Sequence, residues 1–293
     1  MDAIEVRPMR FQHEDITGRE PVWSQSKPLF AIFINALAVH SPYFERFLCT
    51  VSRKAKPLIQ DERLGKDLAA LIGQEAHHAF NFLGMNKFLA QRYPKVEKYD
   101  REARAYFEAL LRDRSFKYQM AFVAGYETFT YLAGMIVLDR YEEFMGKADP
   151  VIRAMWVWHQ VEEVEHGSVA FDAYRAVCGR FEWFRKWMLV RVFAYVAGQT
   201  LQGYIHMCRV EGYFDSVRGT LRAAGFFLWL SAQLVASAAP ALRASYHPRK
   251  HPRCESEPSP IAVAWRRHYA QGEDVSTLDD GTMRTLMARE VQA

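Results

Sequence analysis

Glu75-Ala-His-His78 and Glu163-Val-Glu-His166 decide how this chain is read. Each is a Glu-x-x-His inside a stretch with helical hydrophobic periodicity. Residues three apart share one face of an α-helix, so a carboxylate and an imidazole at that spacing can grip the same or neighbouring ions. Two copies imply two ions. A four-helix bundle that holds a dinuclear site takes one such motif from each of two helices and a lone Glu from each of the other two. Glu45, in Tyr43-Phe-Glu-Arg-Phe47, and Glu127, in Ala124-Gly-Tyr-Glu-Thr-Phe-Thr-Tyr131, supply those in the required order. The expected metal ligands are therefore Glu45, Glu75, His78, Glu127, Glu163 and His166.

Turn placement supports the pairing. Ligands at equal depth on antiparallel neighbours need a turn midway between them. The midpoint of 45 and 75 falls in Lys56-Pro-Leu-Ile-Gln-Asp-Glu-Arg-Leu-Gly65, and that of 127 and 163 sits at Met145-Gly-Lys-Ala-Asp-Pro150. Both are punctuated by Pro and Gly. Tyr93-Pro-Lys-Val-Glu-Lys-Tyr-Asp-Arg-Glu102 reads as an extended crossover between the two hairpins. The pattern predicts helices over 29–54, 62–92, 103–144, 149–178, 182–211 and 216–245, with no strand. The fold class is all-α: a ferritin-like four-helix bundle (29–178) after an N-terminal segment (1–28), then an additional apolar helical pair (179–246) and an extended tail (247–293).

Near the second motif, His159 shares the face of Glu163 and His166 and reads as an extra ligand, a supporting partner or a core histidine, with a non-ligand role favoured. Glu162, four before His166, is a rival ligand or a supporting residue. Glu165 points toward solvent, and His77 is structural. Asp172, two turns beyond His166, is a candidate to orient a ligand imidazole from behind. His247 and His251 lie in a stretch broken by prolines and read as solvated.

These residues also resemble a known family. Gln74-Glu-Ala-His-His78 with Asn86, Glu127-Thr-Phe-Thr130, Trp158-His-Gln-Val-Glu-Glu-Val-Glu-His166, Ala170-Phe-Asp-Ala-Tyr174 and Glu45-Arg-Phe47 look like the bacterial predicted metal-dependent hydrolases, over about residues 25 to 250. The resemblance implies hydrolysis. One departure is Phe82, where the family pattern places a further His four residues after the first motif's.

Composition bounds the rest. Of 293 residues 50% are hydrophobic and 25% charged, enough for a large core. Lys and Arg exceed Asp and Glu by 38 − 34 = 4, and no basic block interleaved with aromatics stands out, so no nucleic-acid partner is expected. Cys49, Cys178, Cys208 and Cys254 have no Cys-x-x-Cys spacing, which suits a reducing cytoplasm. Met1–Arg10 has acids and no apolar core, so no signal peptide is expected. Walker, dinucleotide and nucleophile-elbow motifs are absent.

Twenty uncharged residues lie between Arg222 and Arg243, and 17 from Val192 to Cys208. That length allows a membrane span or a membrane-surface hairpin within 187–245. Gln199, Gln202, His206 and Gln233 favour a buried helical layer instead. If these apolar residues line a tunnel beside the metals, the substrate is a small apolar molecule such as one with an acyl chain.

Four carboxylates and two imidazoles suit iron, with manganese or zinc as alternatives. The leading expectation is a di-iron enzyme that activates dioxygen to oxidise an apolar substrate, with an electron donor as partner, Tyr126, Tyr131 and Trp158 as candidate electron relays, and self-association into a homo-oligomer. The alternatives are a metal-dependent hydrolase of an ester or phosphate and a non-enzymatic iron-binding protein.

Overall fold

Four helices carry the ligand candidates in the computed structural model: α2 (Ser41–Ala55) bears Glu45, α3 (Glu62–Arg92) bears Glu75 and His78, α5 (Phe116–Asp139) bears Glu127, and α7 (Pro150–His166) bears Glu163 and His166. Residues 4–11, 16–253 and 259–288 are described. Among them the chain is all-α, and its one β contact is an isolated bridge between Ser24 and Ala148. Helix α2 packs chiefly on α3, and α5 chiefly on α7.

Both expected hairpin turns fall where the ligand midpoints put them. Helix α2 ends at Ala55, and α3 starts behind Asp61, whose side chain accepts from the Leu64 amide. Helix α7 starts behind Asp149, which accepts from the Val151 and Ile152 amides, with Pro150 in the first turn. A side-chain oxygen at this position satisfies amides that the helix leaves free.

The expected helix boundaries need correction in four places. The first helix divides into α1 (Pro28–Ala38) and α2. The crossover is not extended, because α4 (Val96–Asp113) occupies most of it, and α5 begins only after Ser115 caps it through the Tyr118 amide. Eighteen residues at 1.5 Å rise carry the chain about 27 Å as a helix, so α4 makes the crossover that extended chain was expected to make. A short α6 (Tyr141–Met145) follows α5. The 149–178 helix breaks at Gly167-Ser168 into α7 and α8 (Val169–Cys178). A Cβ on Gly167 would clash with the Tyr131 ring, so only glycine allows that approach.

Helices α9 (Glu182–Val210) and α10 (Val217–Ala238) form an antiparallel pair laid on α1 and α5. Gly203 touches Ala36, and Arg185 donates to the Arg243 carbonyl at 3.3 Å. Among the described residues two helices are long and apolar enough to cross a membrane, by length and composition. In the most apolar stretch of Phe116–Asp139 83% of the residues are buried in the core, whereas in that of Val217–Leu242 only 28% are, against the expectation of a buried layer.

The expected extended tail is folded. Helix α11 (Pro260–Ala270) buries Trp265, and α12 (Asp280–Ala288) follows a loop whose Leu278 carbonyl accepts from Arg153 at 2.6 Å. His251 is buried on the Ser237 carbonyl at 2.9 Å rather than solvated. Proline breaks a helix but does not prevent the flanking apolar residues from docking. Cys49, Cys178 and Cys208 are free thiols, and Cys254 lies outside the described residues.

Candidate metal centre

All six expected ligands converge. Glu45, His78 and His159 present ligand atoms within 4.8 Å of one another, as do Glu75, Glu127, Glu163 and His166, and all seven residues are buried. Helical spacing brings Glu75 and His78 to one side of α3 and Glu163 and His166 to one side of α7, and the two hairpins close these sides on one another. His78 Nδ1 stands 3.7 Å from Glu75 and 3.6 Å from Glu163. His166 Nδ1 stands 2.9 Å from Glu75 and 3.4 Å from Glu127.

These approaches are short, but they do not satisfy the groups. Both oxygens of Glu75 and of Glu127, Glu45 Oε2, Glu163 Oε2, and Nδ1 of His78 and of His166 are buried without an aligned hydrogen bond. A lone buried carboxylate oxygen costs kilocalories, and so many in one place suit a cation that would pair with them. Four carboxylates are neutralised by two divalent ions, so the residues present fit a dinuclear centre.

The imidazoles are held from behind. His78 Nε2 faces Glu162 Oε2 at 2.9 Å, and His166 Nε2 faces Gln74 Oε1 at 2.6 Å. With the outer nitrogen donating, each ring turns its Nδ1 lone pair to the centre. Glu162 is thus the buried partner of His78, and its other oxygen lies 3.4 Å from Arg7. Glu165, expected in solvent, is held by Arg7 at 3.0 Å, Arg266 at 2.7 Å and Gln74 at 3.1 Å. Asp172 does not reach a ligand imidazole. It accepts from His247 at 2.8 Å and Arg249 at 3.2 Å, pinning the segment after α10 to α8.

His159 differs from the other two histidines. Its Nδ1 accepts from the Gln160 amide at 2.8 Å, which places the ring proton on Nε2, 3.1 Å from Glu163 and 3.7 Å from Glu45. Phe82 occupies the place of the family's further His. It is fully buried, with its ring centroid 4.7 Å from that of His159.

Burial sets the proton affinities of the metal-free cluster. It pushes Glu45 and Glu127 up to about 8, offset only in part by His159 and His166. Burial opposes ionisation of Glu75 as well, but His166 and His78 outweigh it and hold that carboxyl well below the usual range. For His78 burial disfavours the cation, yet Glu162 and Glu75 raise it to about 9.

A narrow cavity opens onto the cluster. Glu45, Glu75, Glu163 and His159 lie on its floor, and its walls are apolar, including Phe33, Leu37, Phe129, Phe193, Val196 and Leu234. None of its lining residues is Lys or Arg.

Over residues 5–253 the sequence matches the family described as predicted metal-dependent hydrolase. The chain belongs to that family. No curated protein and no solved structure matches it. Membership overturns the leading expectation of a dioxygen-activating di-iron oxidoreductase, because the predicted metal-dependent hydrolase family points to the hydrolytic alternative. The ligand pattern is common to both chemistries, so spacing alone favoured neither. The three residues considered as relays pack in the core: Trp158 sits edge-on to His78 at 4.8 Å, the Tyr126 hydroxyl bonds His40 Nδ1 at 2.9 Å, and the Tyr131 ring fills the space over Gly167.

Within this family member, Gln74, Arg7 and Arg266 were not assigned a site role from sequence. Gln74 abuts Glu75, but its bond to His166 crosses 92 positions. Arg7 reaches the site from an N-terminal segment without periodicity, so no local pattern marks it.

Proposed function

We propose that the protein hydrolyses an apolar carboxylic ester at a centre of two divalent ions held by Glu45, Glu75, His78, Glu127, Glu163 and His166. The observation that carries this reading is the set of unpaired buried carboxylate and imidazole atoms at the floor of an apolar cavity. When bound, the ions supply a Lewis acid for the ester carbonyl and make a water molecule acidic enough to attack near neutral pH.

The chain's own residues do the rest. Phe33, Leu37, Phe129 and Phe193 bind the apolar part of the substrate and exclude bulk water. Glu45, with an unpaired oxygen on the cavity floor, takes the proton of the attacking water. Glu45 then returns that proton to the leaving alcohol as the acyl carbon–oxygen bond breaks, while the neutral His159 keeps its Nε2 proton 3.1 Å from Glu163 and orients the carboxylates of the floor. The products are a carboxylic acid and an alcohol, and the only co-reactant is water.

A phosphate ester is disfavoured, since the cavity offers no basic side chain to an anion. The test is turnover of aryl esters of increasing acyl length, without air, by protein reconstituted with manganese or zinc. Rates that rise with acyl length and vanish on chelation support the proposal. No turnover with either ion, or a preference for phosphomonoesters, refutes it.

A further inference from the structure

The outer face of the α9–α10 pair is largely apolar, with Arg191 and Gln202 the exposed polar residues between its ends. Between Ala223 and Leu242 every exposed residue is apolar or glycine, and Leu221, Leu228, Ala232, Val235 and Leu242 form one stripe at helical spacing. On α9 the exposed Trp183, Trp187, Val190, Leu201 and Ile205 form another, with Trp183 80% exposed. A helix facing water carries charged and polar residues along its whole outer side, whereas this pair concentrates most of them at its ends.

Charge decides what covers the face. Helix α10 contains no acid, and the single acid of α9, Glu182, is bound to Arg175 and Arg185 at 2.8 Å. Exposed arginines stand at both ends of the pair: Arg180 and Arg243 at one, and at the other Arg209, Arg218 and Arg222, which outnumber the exposed Asp215 of the connecting turn. A second copy docked by two-fold symmetry would set this patch against itself, arginine against arginine. A bilayer accepts the apolar stripes in its acyl region, the indoles at its interface and the guanidinium groups among its phosphates.

We propose that this face docks the protein on the surface of an anionic bilayer. The inner sides of the same two helices form part of the cavity wall through Phe193, Val196, Phe227 and Leu234. A molecule leaving the bilayer at this face meets the cavity across one helix layer, so the ester substrate is a lipid. The substrate assignment rests on the hydrolase reading, whereas the docking does not.

The test is co-sedimentation of the full chain with vesicles of phosphatidylglycerol and phosphatidylcholine, in the absence of any turnover. Binding is expected, weakening as salt rises or the phosphatidylglycerol is withdrawn. Leu221→Glu with Leu228→Glu and Val235→Glu is expected to lower partitioning by about tenfold or more, and Arg218→Gln with Arg222→Gln by about tenfold. None of these residues lines the cavity, so metal uptake stays unchanged and reports that the variants are folded. Failure to bind, equal binding by the glutamate variant, or a lipid-free dimer dissociated by the same substitutions overturns the proposal. Vesicle binding without ester turnover refutes the hydrolase reading and leaves docking intact.

Discussion

Replacing Glu162 isolates the support behind His78. The carboxylate is fully buried, accepts from His78 Nε2 at 2.9 Å, and shares Arg7 with Glu165. In Glu162→Gln the acceptor survives without its charge. A hydrogen bond to a charged group contributes about 1.5–3 kcal/mol and a neutral one about 0.5–1.5 kcal/mol, so the loss is about 1–1.5 kcal/mol, or roughly five- to tenfold in metal affinity. In Glu162→Leu the Nε2 proton has no acceptor and the ring is free to turn. Partners of this kind contribute about 10- to 100-fold in metal affinity, and the upper half of that range is expected. Arg7 keeps Glu165 in both variants, so the chain remains folded. The loss depends on pH. Against the desolvation of burial, Glu162 and Glu75 together raise the proton affinity of His78 to about 9, and removing Glu162 relieves part of that proton competition. The deficit is therefore larger at about pH 9 than near neutrality. Competition with a chelating dye at both pH values measures it. Unchanged affinity in Glu162→Leu would refute the supporting role, and loss of a whole ion in Glu162→Gln would make Glu162 a ligand.

Other expectations follow from the same geometry. His159→Ala keeps two ions per chain, since the Nε2 proton faces the cluster, and lowers kcat by about 10- to 100-fold as the loss of a supporting partner does; metal analysis with steady-state kinetics separates the two effects. Metal uptake releases more protons at pH 6 than above 8, because Glu45 and Glu127 stay protonated up to about 8, and isothermal titration in buffers of different ionisation enthalpy counts them. For the same reason the metal-free protein loses stability as pH rises from the unfolded carboxylate range through about 8. The raised carboxyls favour folding only while protonated, so a metal-free melting temperature that climbs over that interval would contradict the burial of these groups. Gly167→Ala drives a methyl into the Tyr131 ring and lowers stability by about 1–3 kcal/mol, read from chemical denaturation.

The helix-bearing ligands were legible because helical periodicity and the Glu-x-x-His spacing are local. Glu45 and Glu127 were found only by asking what must accompany the paired motifs, and the turns at Asp61 and Asp149 followed from the same symmetry. Groups that hold the ligands from afar were not legible. Gln74 meets His166, and Arg7 meets Glu162, across gaps of 92 and 155 positions, and no periodicity encodes such encounters. Asp172 shows the converse error: its place two turns past His166 suggested a ligand partner, but the break at Gly167 turns α8 and gives it to His247. The exposed stripe of α10 was readable as apolar, but only packing reveals which side the core leaves uncovered.

Counting ions on the intact chain tests the central claim most directly. Native mass spectrometry of metal-free protein titrated with manganese or zinc is expected to show two ions per chain bound at saturation, with at least one lost in Glu127→Gln, whose wild-type carboxylate has both oxygens buried and unpaired. No bound metal, or two retained ions in Glu127→Gln, would contradict the dinuclear site.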